Sequence, residues 1–322
     1  MQKTSPIVVS GSIAIDRIMS FNGSYSDHLH AEKLHKISIS TFLDELHDAR
    51  GGVGANIAYS LGLLGATPVL LSSIGPNGGD YMQDLASIGV DTSHVFVSKL
   101  PTASFNVITD VNQNQIGGFY PGAMFDSASL TFEPWKDSGV IFTVSPSHPI
   151  AMDRLVGEAK KWNLRLFYDA GQQVTNVDGP DMARGIDAAE VLILNEYEIS
   201  LMSKKTSISI EAMKAKVPIV VTTFGKDGSI IEGASVPEAI KVGVAPVSHV
   251  ADPTGAGDAY RAGFLYGYAR NWPLKTCAQL AAVCGSYAVE QIGTQTHRFT
   301  PAEVTERYKA AFNEELDLNK EQ

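Results

Sequence analysis

Residues 251–264 read ADPTGAGDAYRAGF, in which a turn rich in proline and glycine runs directly into an amphipathic helix. The first turn of a helix leaves backbone N–H groups unpaired and carries partial positive charge, so this junction suits a phosphate group. Gly255 and Gly257 let phosphate oxygens approach without a side chain in the way, and Asp258 follows at once. An acid there also fits a purely structural role as a partner of the helix dipole. The GxxxxGK[ST] pattern of a P-loop is absent.

Short apolar runs rich in β-branched residues recur before this turn, and each is typical of a buried strand. They lie at 7–9, 69–74, 140–144, 164–168, 191–194 and 218–223. Helical patterns lie at 55–64, 80–88, 150–162, 196–203, 257–270, 274–291 and 301–315. Gly65 and Gly89 follow two of these patterns as left-handed C-caps. The alternation predicts a mostly parallel sheet that is covered by helices on both faces.

Two stretches interrupt this alternation. Residues 15–45 are polar and contain several histidines, with a period of two near 35–40, and residues 101–120 alternate, turn at VNQNQ and alternate again. Such patterns are typical of hairpin strands. We therefore expect a small inserted β-sheet, called the lid, made of residues 15–45 and 101–120. The large domain would comprise residues 1–14, 46–100 and 121–322.

The composition argues against several classes of partner. The chain has 322 residues, with 25 basic and 35 acidic side chains and a formal charge of −10, so we expect no nucleic-acid partner. The N-terminal apolar stretch, Ile7–Val9, is too short for a signal peptide or a membrane span, and we expect no membrane partner and a cytoplasmic location. Cys277 and Cys284 would lie roughly 10 Å apart along a helix, too far for a disulfide, so core packing is expected.

Two further motifs carry polar groups that suit a hydroxylated ligand. RGGVGANIAYSLGLLG at 50–65 places a glycine turn before a helix, where the Gly52 amide and the Asn56 carboxamide can together bind vicinal hydroxyls. A glycine turn before a helix also explains this motif without any ligand. Asp16 ends the string GSIAID after the first strand, although a surface aspartate after a strand is common. Both interpretations stay open on these residues alone.

Local structure alone would explain two more patterns. NEYE at 195–198 fits a capping box, in which Asn195 caps a helix and Glu198 reaches back from the third position. TTFGKDGSI at 222–230 predicts two strands joined by a tight turn at Asp227 and Gly228.

The joined string DxTGAGDxxxxG resembles the second signature of the ribokinase (PfkB) family of carbohydrate and nucleoside kinases. The resemblance covers about residues 7–300, and it implies a ribokinase-like three-layer α/β/α domain with a mostly parallel central sheet and an inserted lid. It also implies ATP as phosphate donor. Asp258 would accept the proton of the acceptor hydroxyl, and the Gly255, Ala256 and Gly257 amides would form an anion hole. Phosphoryl transfer depends on such positioning and charge neutralisation more than on a strong base.

The same resemblance gives roles to the other motifs. The 50–65 segment resembles the first family signature, so Gly52, Asn56 and Asp16 would hold sugar hydroxyls. NEYE matches a family motif whose Glu198 would organise the water around Mg²⁺, and an outer-sphere carboxylate is sufficient because Mg²⁺ keeps several waters. The ATP site would include Asn195, Thr223, Gly225 and Gly228. Asp252 and Thr254 lie where related enzymes bind K⁺.

Within the family the chain is most similar to bacterial-type adenosine kinases, through GSIAID, HLHAEKLHKISIS, FYPGAM, DAGQQ and QIGTQ. That likeness implies that the nucleoside is surrounded by Ser12, Phe105, Phe119, Gln172 and Gln173, with Phe119 stacked on the base. The two phenylalanines equally fit the hydrophobic face of the hairpin itself. DAGQQ lacks the proline expected after the aspartate, which leaves base preference open. We expect transfer of the γ-phosphate of ATP to the 5′-hydroxyl of adenosine.

The sequence is also compatible with other functions, and it predicts a homodimer. A sugar kinase of the ribokinase or fructokinase kind, or another nucleoside kinase, would share every catalytic motif. An inactive ligand sensor on the same fold is disfavoured by the intact GAGD and NxxE motifs and by Asp16. An inserted hairpin with alternating apolar residues leaves strand edges and one face to cover, which predicts a homodimer through the lid.

Overall fold

A computed structural model describes residues 6–27 and 39–318. Its strands are β1 Ile7–Ser10, β2 Ala14–Ser20, β3 Glu45–Gly51, β4 Val69–Ile74, β5 Val95–Val97, β6 Ala103–Thr109, β7 Gln115–Tyr120, β8 Ile141–Val144, β9 Arg165–Tyr168, β10 Val191–Asn195, β11 Ile219–Thr223, β12 Ser229–Glu232 and β13 Ile240–Val242. Its α-helices are α1 Val53–Leu63, α2 Gly79–Ser87, α3 Pro149–Trp162, α4 Gly179–Ala188, α5 Glu196–Thr206, α6 Ile210–Lys216, α7 Ala256–Ala269, α8 Leu274–Val289 and α9 Pro301–Phe312.

The large sheet has the strand order β13-β12-β11-β10-β9-β8-β1-β4-β5 within the described residues. The pairs from β5 across to β11 are parallel, and β12 and β13 are added antiparallel at one edge. All six predicted runs form strands of this sheet, namely β1, β4, β8, β9, β10 and β11. Their short, fully apolar sequences suit strands that are buried on both faces.

Helices cover both faces of the large sheet, so the predicted three-layer arrangement is confirmed. On β1, Ile7 and Val9 pack with α1, α7 and α8 on one face, whereas Val8 packs with α3, α4 and α5 on the other. This alternation follows from the period of two along a strand. Because both faces of the sheet are covered by helices, a ligand site has to lie at the ends of the strands.

Helices α7 and α8 pack with their backbones close together. A Cβ at Gly263 would lie 2.7 Å from the Ala281 Cα, and a Cβ at Gly267 would lie 3.0 Å from the Cys277 Sγ. Cys277 and Cys284 are buried free thiols, which confirms the predicted packing role. The glycines of α7 are therefore explained by contact with α8.

Two helices, α4 and α6, were not predicted from the sequence. Gly179 and Pro180, which open α4, are typical of a loop that interrupts helical structure. Proline is nevertheless tolerated in the first turn of a helix. Helix α6 is short and starts at the N-cap Ser209, whose side chain accepts from the Ala212 N–H at 3.1 Å. Among the described residues, no helix combines the length and the apolar composition needed to cross a membrane.

The small sheet has the strand order β3-β2-β6-β7. Strand β2 pairs antiparallel with β3 and parallel with β6, and β6 forms a hairpin with β7. The predicted hairpin at 101–120 is thus present, and we keep the name lid for these four strands. Part of the predicted lid, residues 28–38, lies outside the described residues, and the assignment of domain boundaries stays a prediction.

Candidate active site

The predicted phosphate-binding turn forms the N-terminus of α7. Gly255 is the N-cap with φ +81°, a left-handed conformation that favours glycine, and a Cβ there would lie 3.0 Å from the Thr294 Cβ. Helix α7 begins at Ala256, so the N–H groups of its first turn have no partner within the helix. Gly257 is different, because a Cβ there would lie 2.7 Å from Nη1 of Arg261. The glycine at 257 makes room for an arginine that the sequence analysis did not single out.

A cavity of about 640 Å³ lies beside this turn and is within the size range of small-molecule sites. Its lining includes most of the predicted residues, namely Ser12, Asp16, Gly52, Asn56, Phe105, Phe119, Gln172, Gln173, Glu198, Gly255 and Asp258. Ala256 and Gly257 are not part of the lining. Side chains from the small sheet and from the large domain therefore meet around one space.

Asp258 is held by a chain of buried amide and phenol groups. Asn56 Nδ2 donates to Asp258 Oδ2 at 2.8 Å, and Gln295 Nε2 donates to Asn56 Oδ1 at 2.8 Å. Gln295 Nε2 also contacts the Tyr81 hydroxyl, which donates to the Gly51 carbonyl at 2.8 Å. The Asn56 carboxamide is thus fixed at both ends. Asn56 was expected to hold sugar hydroxyls, and the structure shows it orienting the carboxylate of Asp258.

Three carboxyl groups of the cavity have raised pKa values, namely Asp16, Asp258 and Asp169, and the first two lie in the proposed path of the acceptor. Burial raises the pKa of Asp258, and the charge of Glu198 adds to this effect, while Arg261 and the hydrogen bond from Asn56 act in the opposite direction. Burial also raises the pKa of Asp16 to about 6, with a further contribution from the charge of Asp258. A carboxyl group with a raised pKa is a better proton acceptor once it is ionised.

Ser12 and Gly52 have clear structural roles where β1 and β2 meet α1. Ser12 Oγ accepts from the Val53 N–H at 3.1 Å, and the Ser12 carbonyl accepts from the Ala55 N–H at 3.1 Å. Gly52 has φ +95°, and a Cβ there would lie 2.6 Å from the Ser12 carbonyl and the Ala14 nitrogen. Their predicted contacts with a nucleoside remain predictions.

The capping box at the start of α5 is confirmed. Asn195 Oδ1 accepts from the Glu198 N–H at 2.8 Å, and Glu198 Oε2 accepts from the Asn195 N–H at 2.8 Å. Glu198 still lines the cavity, so capping does not prevent it from facing a ligand. Within the described ranges, no group of three or more His, Cys, Asp or Glu side chains is arranged to hold a metal ion. A metal in this cavity would need ligands beyond the protein side chains.

The sequence analysis missed an ion pair at the centre of the site. Arg261 approaches Asp169 with two nitrogens, Nε at 2.6 Å from Oδ2 and Nη2 at 2.8 Å from Oδ1. Burial raises the pKa of Asp169 to about 7 even though Arg261 opposes this shift. Asp169 directly follows β9, and ligand sites of parallel sheets lie at such strand ends, so its position was a usable signal. Gln295 ended the quoted QIGTQ string but was given no role, and Tyr81 offered no signal.

The lid contributes two aromatic side chains to the cavity. Phe105 and Phe119 are directly opposed on β6 and β7, and they are 39% and 48% exposed. They form the face of the hairpin and also line the cavity, so the two interpretations do not exclude each other. Gln172 lines the cavity as well, but both ends of the Gln173 amide are engaged, Nε2 with the Ser147 carbonyl and Oε1 with Asn176.

A second cavity, of about 370 Å³, lies beside the turn between β11 and β12. It is lined by Glu196, Phe224, Asp227, Ser229, Ile230, Lys241, Val242 and Gly243. The residues predicted for ATP are Asn195, Thr223, Gly225 and Gly228. They are sequence neighbours of these lining residues but do not line the cavity themselves. Gly225 and Gly228 have φ +55° and +87°, so the turn requires them for its shape.

Comparisons with known proteins identify the family of this chain. Residues 42–301 match the pfkB family of carbohydrate kinases. A nucleoside kinase of Methanothermobacter thermautotrophicus is 32% identical over 89% of this chain and 93% of its own length. The structure of a Burkholderia thailandensis nucleoside kinase in complex with inosine superposes with a TM-score of 0.83 and 28% identity, covering 96% of this chain and 99% of that one. The nucleoside kinase of Methanocaldococcus jannaschii superposes with the same TM-score and 25% identity, over 96% and 99% of the two chains.

The chain therefore belongs to the pfkB family of carbohydrate kinases. It is an ATP-dependent kinase of the ribokinase type that phosphorylates a hydroxyl group of a nucleoside or a sugar. The predictions of family, fold and general activity are confirmed. The choice of adenosine as acceptor is a finer assignment that these relatives do not make.

Proposed function

We propose that the acceptor is a purine nucleoside, with adenosine phosphorylated at its 5′-hydroxyl to give AMP and ADP. The observation that carries this proposal is the layout of one cavity, with Asp258 at the start of α7 and the Phe105 and Phe119 pair on the lid. A nucleoside has a hydroxyl at one end and a flat apolar base at the other. A free sugar has no planar base to stack on the aromatic pair.

In the proposed reaction the 5′-hydroxyl gives its proton to Asp258, its oxygen bonds to the γ-phosphorus of ATP, and the bond to the β-phosphate oxygen breaks. Asp258 receives the proton and ADP leaves. Asn56 keeps the carboxylate oriented, because its own carboxamide is fixed by Gln295. The amides at Gly255, Ala256 and Gly257 would stabilise the oxygens of the transferred phosphoryl group, with the Ala256 N–H exchanging its 3.3 Å contact with the Pro253 carbonyl for a phosphoryl oxygen.

The ribose would lie between these two ends. Asp16 lines the middle of the site on β2, where it can accept from the 2′- and 3′-hydroxyls in its ionised form. Gly52 and Ser12 lie beside it at the start of α1. Stacking of a base on an aromatic side chain contributes about 1 to 3 kcal/mol, which is enough to separate nucleosides from free sugars.

Inosine is a second candidate acceptor, because the Burkholderia thailandensis relative has inosine bound. Hypoxanthine and adenine, the bases of inosine and adenosine, differ at one ring edge. The Gln172 carboxamide lines the cavity and can form hydrogen bonds with that edge. An amide both donates and accepts, so Gln172 is compatible with either base.

Mg²⁺ is proposed to enter with the nucleotide, held by phosphate oxygens and water. The residues present fit this arrangement, since Glu198 supplies a single carboxylate to the cavity and a water-bridged Mg²⁺ needs no more. A bound Mg²⁺ would neutralise phosphate charge. K⁺ is a further proposal, near Asp252 and Thr254. The Asp252 carboxylate there accepts from the Thr254 and Gly293 N–H groups at 2.9 and 3.0 Å.

The test is a screen of purified protein with Mg-ATP against adenosine, inosine, guanosine, cytidine, ribose and fructose, with products identified by mass. We expect adenosine to have the highest kcat/KM, and the sugars to be much poorer. Asp258→Asn is the matched control for contaminating kinases. A sugar that equals or exceeds adenosine would refute the nucleoside assignment, and a higher value for inosine would favour the second candidate.

We also propose a homodimer through the lid, in the cytoplasm. Ile18, Leu46, Ile116 and Tyr120 on the lid strands are each more than one third exposed, which is unusual for a sheet surface in contact with water. Light scattering at micromolar concentration that gives a mass near the 34.5 kDa of one chain would contradict the dimer.

A further inference from the structure

Arg261 is the basic side chain of the site, and none of the motif assignments uses it. Among the described residues that line the 640 Å³ cavity, four are carboxylates, namely Asp16, Asp169, Glu198 and Asp258, and Arg261 is the one with a positive charge. A kinase must bring a polyanionic nucleotide into this space. Its approach to four carboxylates is unfavourable unless a cation meets the phosphate chain.

The geometry of Arg261 leaves one nitrogen available for a ligand. Nη2 donates to Asp169 Oδ1 at 2.8 Å and is also 3.6 Å from Glu198. Nε is buried and lies 2.6 Å from Asp169 Oδ2 as an ion-pair contact without hydrogen-bond geometry. Nη1 is 4.0 Å from Asp258 Oδ1, which is beyond hydrogen-bond distance. Asp169 is 2% exposed, so it fixes the guanidinium from the buried side.

The same nitrogen lies at the phosphate-binding turn. Arg261 is one helical turn after Asp258 on α7, and helical side chains lean toward the N-terminus of their helix. Nη1 accordingly lies against Gly257, at 2.7 Å from the position of a Cβ on that residue. The guanidinium, the first-turn amides and the carboxylate of Asp258 are therefore neighbours.

We propose that Arg261 is a catalytic residue whose Nη1 donates to an oxygen of the γ-phosphoryl group during its transfer, while Asp169 holds the guanidinium in place. The proposal rests on the kinase activity and on Asp258 as the base, but not on which nucleoside is the acceptor. Arginine suits this role because its planar group pairs with a carboxylate along one edge and donates from another nitrogen. Asp169 is a positioning residue, since it acts through Arg261.

Arg261→Gln tests the proposal by separating chemistry from binding. We expect kcat to fall by about 10² to 10³, the range for loss of one donor to a developing anion, with little change in KM for the nucleoside. Arg184→Gln is the matched control, because Arg184 is an ion-paired arginine on α4 that does not line the cavity. We expect the control to keep wild-type kcat.

A nucleotide-binding measurement distinguishes this role from a structural one. Calorimetry with Mg²⁺ compares ADP with the β,γ-imido analogue of ATP, which differs in carrying the third phosphate. In Arg261→Gln the analogue should lose about tenfold or more in affinity, equal to about 1.4 kcal/mol, while ADP changes little. Equal losses for both nucleotides would overturn the proposal. This measurement needs no acceptor, so it stands even where the adenosine assignment fails.

The double variant Asp169→Asn with Arg261→Gln covers the case in which the single variant does not fold. Removing one partner of a buried ion pair leaves the other charge uncompensated, whereas replacing both by amides does not. We expect the double variant to fold and to remain as slow as the single variant. Recovery of turnover in the double variant would overturn the proposal, because Arg261 would then act only as the counter-ion of Asp169.

Discussion

Asp16→Asn should make the protein more stable and less active. The cause is burial in the ligand-free cavity, which raises the pKa of this carboxyl from its ordinary 3.8 to about 6. A raised pKa means that ionised Asp16 destabilises the folded state at neutral pH. The shift of about two units corresponds to up to about 3 kcal/mol of unfolding free energy at pH 8, since each unit is about 1.4 kcal/mol.

The sign of the pH dependence follows from the same shift. Between pH 3.8 and about 6 the unfolded chain has lost the Asp16 proton while the folded protein keeps it, so the cost builds up as pH rises through this window. The stability gain of Asp16→Asn should therefore be largest above pH 6 and nearly vanish near pH 4. Urea unfolding of both proteins across this range measures it.

A carboxylate on the same small sheet supplies the control. Asp48 on β3 pairs with Arg17 at 2.8 Å, and this hydrogen bond lowers the pKa of Asp48. Asp48→Asn should not stabilise the protein. Initial rates should show a strongly raised KM for the nucleoside in Asp16→Asn, because an amide is a poorer acceptor for two ribose hydroxyls. An Asp16→Asn protein that is less stable than wild type at pH 8 would refute this reasoning.

Three other substitutions address the base and the lid. Asp258→Asn should lower kcat by about 10² to 10⁴ with little change in KM, and initial rates near those of wild type would exclude Asp258 as the base. Asn56→Asp puts a second carboxylate beside Asp258 Oδ2, where Asn56 Nδ2 now donates at 2.8 Å. It should raise the Asp258 pKa further and move the acid limb of the kcat profile to higher pH, and an unmoved limb would count against the assigned contact. Phe119→Ala should raise KM for the nucleoside by about 10- to 100-fold while KM for ATP is unchanged, whereas exposed Phe96, which lies on β5 away from the cavity lining, should tolerate alanine.

The sequence was informative where a local pattern determines structure. Runs such as VLLSSI at 69–74 are short, apolar and bounded, and they form the strands of the large sheet. The capping box at Asn195 and the left-handed glycines at 65 and 89 were likewise found, because each depends on neighbouring residues. Helix α4 was missed because its opening Gly-Pro pair and Gly185 resemble a loop.

Contacts between distant segments could not be predicted in this way. Asn56 and Asp258 are 202 positions apart, and Asn56 and Gln295 are 239 apart, so no spacing rule connects them. Asp169 and Arg261 each belonged to a motif that was examined for other residues. Two signals were available and were not used, namely the position of Asp169 directly after β9 and an arginine one helical turn after Asp258 on a mostly apolar helix.

The close packing of α7 on α8 has a mechanical consequence for the reaction. Because Gly263 and Gly267 let the two helices touch along their backbones, α7 has little freedom to tilt or slide. Asp258 and the glycine turn at the N-terminus of α7 are therefore held in a fixed position. We therefore expect the movement that admits a nucleoside to involve the strands that carry Asp16 and the aromatic pair. A larger residue at 263 would push α7 away from α8. It would thereby displace Asp258 relative to the substrate, although residue 263 is itself remote from the reacting atoms.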